Sequence, residues 1–389
     1  MLPPSEPPLR VLFTNRILAH RTGTELYVRD VSTALLRRGH RPVVYSPRLG
    51  SLAAEIRQQT IPVVDDLTSL AEPPDIIHGH HGPETLTALL AFPGVPAVSV
   101  CHSWIGWADA PVRFPRIHRY LAVDDTCRHR LVAEHGVPPD RVEVVLNAVD
   151  LQRFRPRPAL PPKPLRALIF SNSSGEEAPH VRAIRAACAR TGIHVELAGF
   201  RSGHLLERPE DALGAYDIVF AKARAAFEAA AVGTAVVLCD VAGAGPMVRT
   251  SNLDELRRVN FGRRALRDAP TIEWALGEIA RYDAADAAAV SRRVRVVASH
   301  EAQVDHLLDI YRDVLAAHRA APADPDGEQR AAAVYLRRLS HRLYERDLLH
   351  NVFARLFRLP LVGGWVRRRA GREQVDHWFR ELLRALDTE

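Results

Sequence analysis

The stretch from Tyr216 to Asp240 constrains the fold more than any other part of the chain. It reads as a short buried strand (Tyr216–Ala221), an Ala-rich helix carrying one carboxylate (Glu228), and a second buried strand (Ala235–Asp240). Short apolar runs bounded by turn residues are strands buried on both faces, which belong in parallel sheets covered by helices. The segment Ala242-Gly243-Ala244-Gly245-Pro246 follows and reads as a Gly-rich loop. A lone Glu on a core-facing helix is costly to bury without a partner. Set beside a strand's carboxyl end, it suits a pair of ligand hydroxyls.

The same alternation runs through the first 318 residues. Strand signals occur at Arg10–Thr14, Pro42–Ser46, Asp75–Gly79, Ala97–Cys101, Tyr120–Val123, Val142–Val145, Leu165–Phe170 and His194–Ala198. Helical periodicity marks Glu25–Arg38, which stops at Gly39, then Asp125–His135, Pro179–Arg190 and Ala302–His318. The pattern predicts α/β architecture with two doubly wound parallel-sheet domains. Five prolines between Pro156 and Pro164 read as a linker, so the expected domains are residues 1–158 and 159–320, facing a cleft at their strands' carboxyl ends. A connector, Ala320–Gly327, leads to a helical extension over residues 328–389, with helices at Gln329–Phe357 and Glu373–Leu386.

Composition narrows the class. The chain has 389 residues, enough for two domains and an appendage. No apolar run reaches the roughly 18 residues of a spanning helix, and the start lacks the regions of a signal peptide. Four scattered cysteines, Cys101, Cys127, Cys188 and Cys239, argue for a reducing compartment and against a zinc site. The expected location is therefore cytoplasmic. Only Lys163 and Lys222 are lysines. Residues 328–389 hold 13 Arg against 8 Asp and Glu, a net +5 of the chain's +6. The main body is nearly neutral, unlike a nucleic-acid-binding surface.

Several motifs, in order, resemble family 4 glycosyltransferases of the GT-B fold, over about residues 10–318. Thr22-Gly23-Thr24-Glu25-Leu26-Tyr27 resembles the first loop and helix, with the usual double glycine reduced to Gly23. His78-Gly79-His80-His81 resembles a strand ending in His-x-His, and Cys101-His102-Ser103 the strand-end histidine near the donor sugar. Asn147-Ala148-Val149-Asp150 with Phe154 resembles Pro-Asn-Gly-Val-Asp-x-x-x-Phe, with Leu146 and Ala148 replacing Pro and Gly. Glu228-Ala229-Ala230-Ala231-Val232-Gly233 resembles the helix whose Glu holds the nucleotide ribose. Two departures stand out: Phe220 occupies the place of a first glutamate, and Ser171-Asn172-Ser173 replaces the cation pair that neutralises the diphosphate.

The resemblance implies transfer of a sugar from a nucleotide diphosphate sugar to an acceptor hydroxyl, a hexosyltransferase-class reaction with retention and no metal or other cofactor. It assigns His102 and Glu228 to catalysis. Ser171, Asn172, Lys222, Arg224, Glu228, Gly243 and Gly245 go to the donor. Gly23, Thr24, Glu25 and Asn147 go to the acceptor, a glycan, lipid-linked or small molecule. Plainer roles stay open: Glu25 as a helix cap, Glu228 in an ion pair, Gly243 and Gly245 as turn residues. His78, His80 and His81 invite a metal, but three histidines from one strand end rarely converge on one ion. Rival functions are a nucleotide-sugar epimerase of the same fold and a non-catalytic nucleotide-sugar-binding protein. In the extension, Leu336, Leu339, Leu343, Leu348, Leu349, Val352, Phe353, Leu356 and Phe357 form an apolar stripe. With Arg355, Arg358, Arg367, Arg368, Arg369, Arg372, Trp365 and Trp378, it either packs on the body or lies on an anionic membrane surface at the inner face.

Overall fold

The computed structural model describes residues 7–358, with side chains through Arg346 and at Leu348. The helix expected at Glu373–Leu386, with Arg367, Arg368, Arg369, Arg372, Trp365 and Trp378, lies outside the described residues. So do the side chains of Leu349, Val352, Phe353, Arg355, Leu356, Phe357 and Arg358.

By contact the chain divides into two units, residues 1–120, 131–141 and 311–389, and residues 121–130 and 142–310. The seven-stranded sheet comprises β1 (Arg10–Thr14), β2 (Arg41–Tyr45), β3 (Val63–Val64), β4 (Ile76–His80), β5 (Ala97–Cys101), β6 (Ile117–Ala122) and β7 (Val142–Val144). Its order is β3-β2-β1-β4-β5-β6-β7, and the pairs β1/β2, β1/β4, β2/β3 and β4/β5 are parallel. The strand order reverses between β1 and β4, so a crevice opens beyond Thr14 and His80.

The second sheet has β8 (Arg166–Phe170), β9 (His194–Ala198), β10 (Ile218–Ala221), β11 (Ala235–Asp240) and β12 (Gly243–Met247). Its order is β12-β11-β10-β8-β9. All pairs are parallel except β11/β12. Here the reversal falls between β8 and β10, beyond Phe170 and Ala221. Strands β10 and β11 are buried at every position, as their uninterrupted apolar sequence requires. The helix Ala223–Val232 between them buries Ala226–Val232. Its alanines favour helix and let it lie close to the sheet. It ends at Gly233, whose φ of 101° is the left-handed cap that glycine tolerates.

Two local expectations change. Ala242–Pro246 is no loop: Gly243–Met247 forms β12, antiparallel to β11 after a tight turn. Asp125–His135 is not one α-helix: α-helical geometry covers Asp125–His129, and a π-helical turn, Arg130–Glu134, continues it. At the other end, the helix Pro325–Arg358 docks on the first unit. Buried Arg116 donates to the Glu328 carboxylate at 2.8 and 3.0 Å and also to the carbonyls of Leu89, Phe92 and Val95. Leu336, Leu343 and Leu348 of the expected stripe are 55%, 44% and 51% exposed.

Candidate functional site

In the second unit, four polar side chains meet beyond the carboxyl ends of β8, β10 and β11. Asp240 ends β11 and is 1% exposed. Its Oδ1 accepts from Ser171 Oγ at 3.0 Å, Ser173 Oγ at 2.9 Å and the Val241 amide at 2.6 Å. Its Oδ2 pairs with Lys222 Nζ. Burial pushes the Asp240 carboxyl up, but Lys222 and the hydrogen bonds outweigh it and leave the group below its ordinary value. Lys222 caps the helix Ala223–Val232. On that helix, Arg224 Nε donates to Glu228 Oε1, one turn further along, at 2.7 Å. Each of the two cations assigned to the diphosphate thus already faces a carboxylate.

Crowding fixes the same corner. Gly199, after β9, has φ of 149°, and a Cβ there would lie 1.9 Å from the Ser171 carbonyl oxygen. Asn172 is exposed and its Oδ1 accepts the Phe200 amide at 3.2 Å. Gly245 has a packing reason for being glycine: a Cβ would meet the Ala265 carbonyl oxygen at 2.4 Å. Gly243 lies at the start of the same strand, not in the loop expected for it.

The first unit carries a row of histidines at the carboxyl ends of β4 and β5, with His78 and His80 buried and His81 and His102 half-buried. His78 Nδ1 bonds the Tyr311 hydroxyl. His80 Nδ1 meets His102 Nε2 at 2.7 Å, and the two rings stack at 4.8 Å. Tyr27 sets its ring edge-on to both His80 and His102. Thr14 Oγ1 takes the His80 amide and donates to its carbonyl, both at 2.9 Å, which pins the strand end. Burial holds His78 down at about 3 and His81 at about 4. Burial, with the neighbouring histidines, holds His80 and His102 well below the ordinary imidazole value. The row is therefore uncharged at neutral pH.

At the start of the helix Gly23–Arg37, Glu25 caps: its carboxylate accepts the Thr22 amide at 2.8 Å and the His20 amide at 3.3 Å. Gly23 is exposed, with open space where a Cβ would be, and Thr24 is half-buried. Asn147 is half-buried and belongs by contact to the second unit, whereas Gly23, Thr24, Glu25 and His102 belong to the first. Sequence reasoning missed Asp240, Ser173, His80 as a partner of His102, and Tyr311. Asp240 had a readable signal, an acidic residue closing a wholly apolar strand. Tyr311 had none, since it is 233 residues from His78.

Residues 21–153 match the model of Glycosyltransferase Family 4. The chain is similar to a divergent member of that family. A glycosyltransferase from Rickettsia africae shares 13% identity over 79% of this chain and 99% of its own, with a TM-score of 0.58. Anabaena HepE, solved with UDP and glucose, shares 13% over 78% and 99%, with a TM-score of 0.56. These likenesses establish the GT-B glycosyltransferase fold. No curated protein matches the sequence.

Proposed function

We propose that this glycosyltransferase-type chain moves a hexose from a nucleoside diphosphate sugar to an acceptor hydroxyl, with retention and without a metal. The observation that carries the reading is the Ser171–Ser173–Lys222–Asp240 network at the switch point of the second sheet, with Glu228 on the helix that follows Lys222. Glu228 accepts from the ribose hydroxyls. Ser171, Asn172, Lys222, Arg224 and the chain at Gly243 and Gly245 face the diphosphate. Charge on that leaving group is the main thing to stabilise. His102 meets the sugar. Gly23, Thr24, Glu25 and Asn147 serve the acceptor, a glycan, lipid-linked or small molecule. Among the described residues no helix is long and apolar enough to cross a membrane. The exposed Leu336, Leu343 and Leu348 with the basic end of the chain support contact with an anionic inner membrane face.

A panel of nucleotides and nucleotide sugars tests the donor. A ligand at a hundred times its Kd stabilises the folded state by about 2.7 kcal/mol, which a melting curve resolves. UDP, GDP or a sugar conjugate of one should raise the melting temperature, and Glu228→Gln should remove the shift. Wild-type protein unmoved by all of them at millimolar concentration sinks the reading.

A further inference from the structure

The contact between His80 Nδ1 and His102 Nε2 needs a hydrogen on one nitrogen and a lone pair on the other. The rest of His80 decides which. Its second nitrogen, Nε2, is buried with no partner. Were the hydrogen there, the core would hold an orphaned N–H donor, which buried sites avoid more strongly than an unfilled acceptor. The hydrogen therefore sits on Nδ1. The ring cannot turn over to escape this choice: it lies between the stacked rings of His78 and His102, each 4.8 Å away, with the edge of Tyr27 against it.

We infer that His80 is a positioning residue: as the Nδ1–H tautomer it donates to His102 Nε2 and so fixes His102 as an Nδ1–H donor, aimed at an oxygen of the transferred sugar. The identity of that oxygen rests on the glycosyltransferase reading; the tautomer does not. His102 Nδ1 has no bond among the described residues, and His102 is only half-buried. Its one lone pair is spent on His80. A neutral imidazole in this state gives a hydrogen bond and cannot take a proton. His102 thus suits holding a hydroxyl or ring oxygen, and the histidine base that an epimerase would need is absent from this pair.

Nitrogen shifts of the intact, 15N-histidine-labelled protein read the tautomer directly, with His102→Asn and His80→Asn used to assign signals. His102 should show a protonated Nδ1 and a bare Nε2. A protonated His102 Nε2 overturns the proposal. Kinetics give a second readout. In His80→Asn the amide can donate from near the Nδ1 position, so this variant should recover most of kcat/KM. His80→Leu should lose about three- to tenfold, the worth of one neutral hydrogen bond, with the loss in kcat/KM and the melting temperature matched to His80→Asn. Equal losses in both variants count against positioning. Absence of turnover with every nucleotide sugar would sink the transferase reading, while the nitrogen shifts would still decide the tautomer.

Discussion

Lys222→Ala is the sharpest perturbation, because it separates a role in folding from a role in ligand binding. Removing the cation leaves Asp240, 1% exposed, with its Oδ2 facing no charge. Breaking a buried pair by removing one partner costs about 3–5 kcal/mol. Two features lower that figure. Lys222 is 39% exposed, so solvent screens the pair, and Asp240 keeps three donors on Oδ1. The expected loss is about 1–3 kcal/mol. For a unit of this size each kcal/mol lowers the melting temperature by about 2–4 °C. Asp240→Asn should cost less, and the double variant should recover part of the Lys222→Ala loss, since the uncompensated charge is gone. The pH dependence follows. Asp240 has a folded value below its unfolded one, so its contribution is full above the ordinary carboxylate range and fades as pH falls below that range toward the folded value. Lys222→Ala should flatten this acid limb. Calorimetry of wild type, both singles and the double across pH 3–7 measures all of it. A Lys222→Ala protein as stable as wild type, or a double variant no better than the single, would refute the reasoning.

Gly199→Ala should destabilise the second unit severely, by about 3 kcal/mol or more, through a left-handed φ and a clash with the Ser171 carbonyl; urea unfolding checks it. Turnover, once a donor is found, should survive EDTA, and loss of activity restored by manganese or magnesium would contradict the metal-independent mechanism. Glu328→Ala should cost about 1–3 kcal/mol by leaving buried Arg116 without its carboxylate. Full-length protein should bind anionic vesicles in a salt-sensitive way, and vesicle co-sedimentation with no binding at low salt would rule that surface out.

The fold was legible because its signals are local. Apolar runs at Arg10–Thr14, Ala97–Cys101 and Ala235–Asp240 gave strands within a residue or two of those observed. Gly243–Met247 was misread because two glycines and a proline signal a turn. Pairing with β11 and close approach to Ala265 override that signal. At the site, Ser171, Lys222, Arg224, Glu228 and His102 could be nominated from their places after strands or on the following helix. Their partners could not, apart from the i,i+4 pair of Arg224 and Glu228. Asp240 reaches Ser171 across 69 residues, and His80 reaches His102 across 22. Such pairings are set by strand order, which no local pattern encodes.

The first unit is closed by residues from the far end of the chain. Tyr311 supplies the partner of His78 from 233 positions away, and Glu328 supplies that of Arg116 from 212. A ribosome making this protein from its first residue therefore releases β1–β6 long before their last supports exist. The second unit, mostly one continuous run from residue 142 to 310, has its parts to hand earlier. Order of synthesis thus runs against order of completion: the part begun first is finished last. During that interval the buried imidazole of His78 and guanidinium of Arg116 must wait in an unfinished core, which makes the nascent first unit the stage at which a chaperone would be most needed.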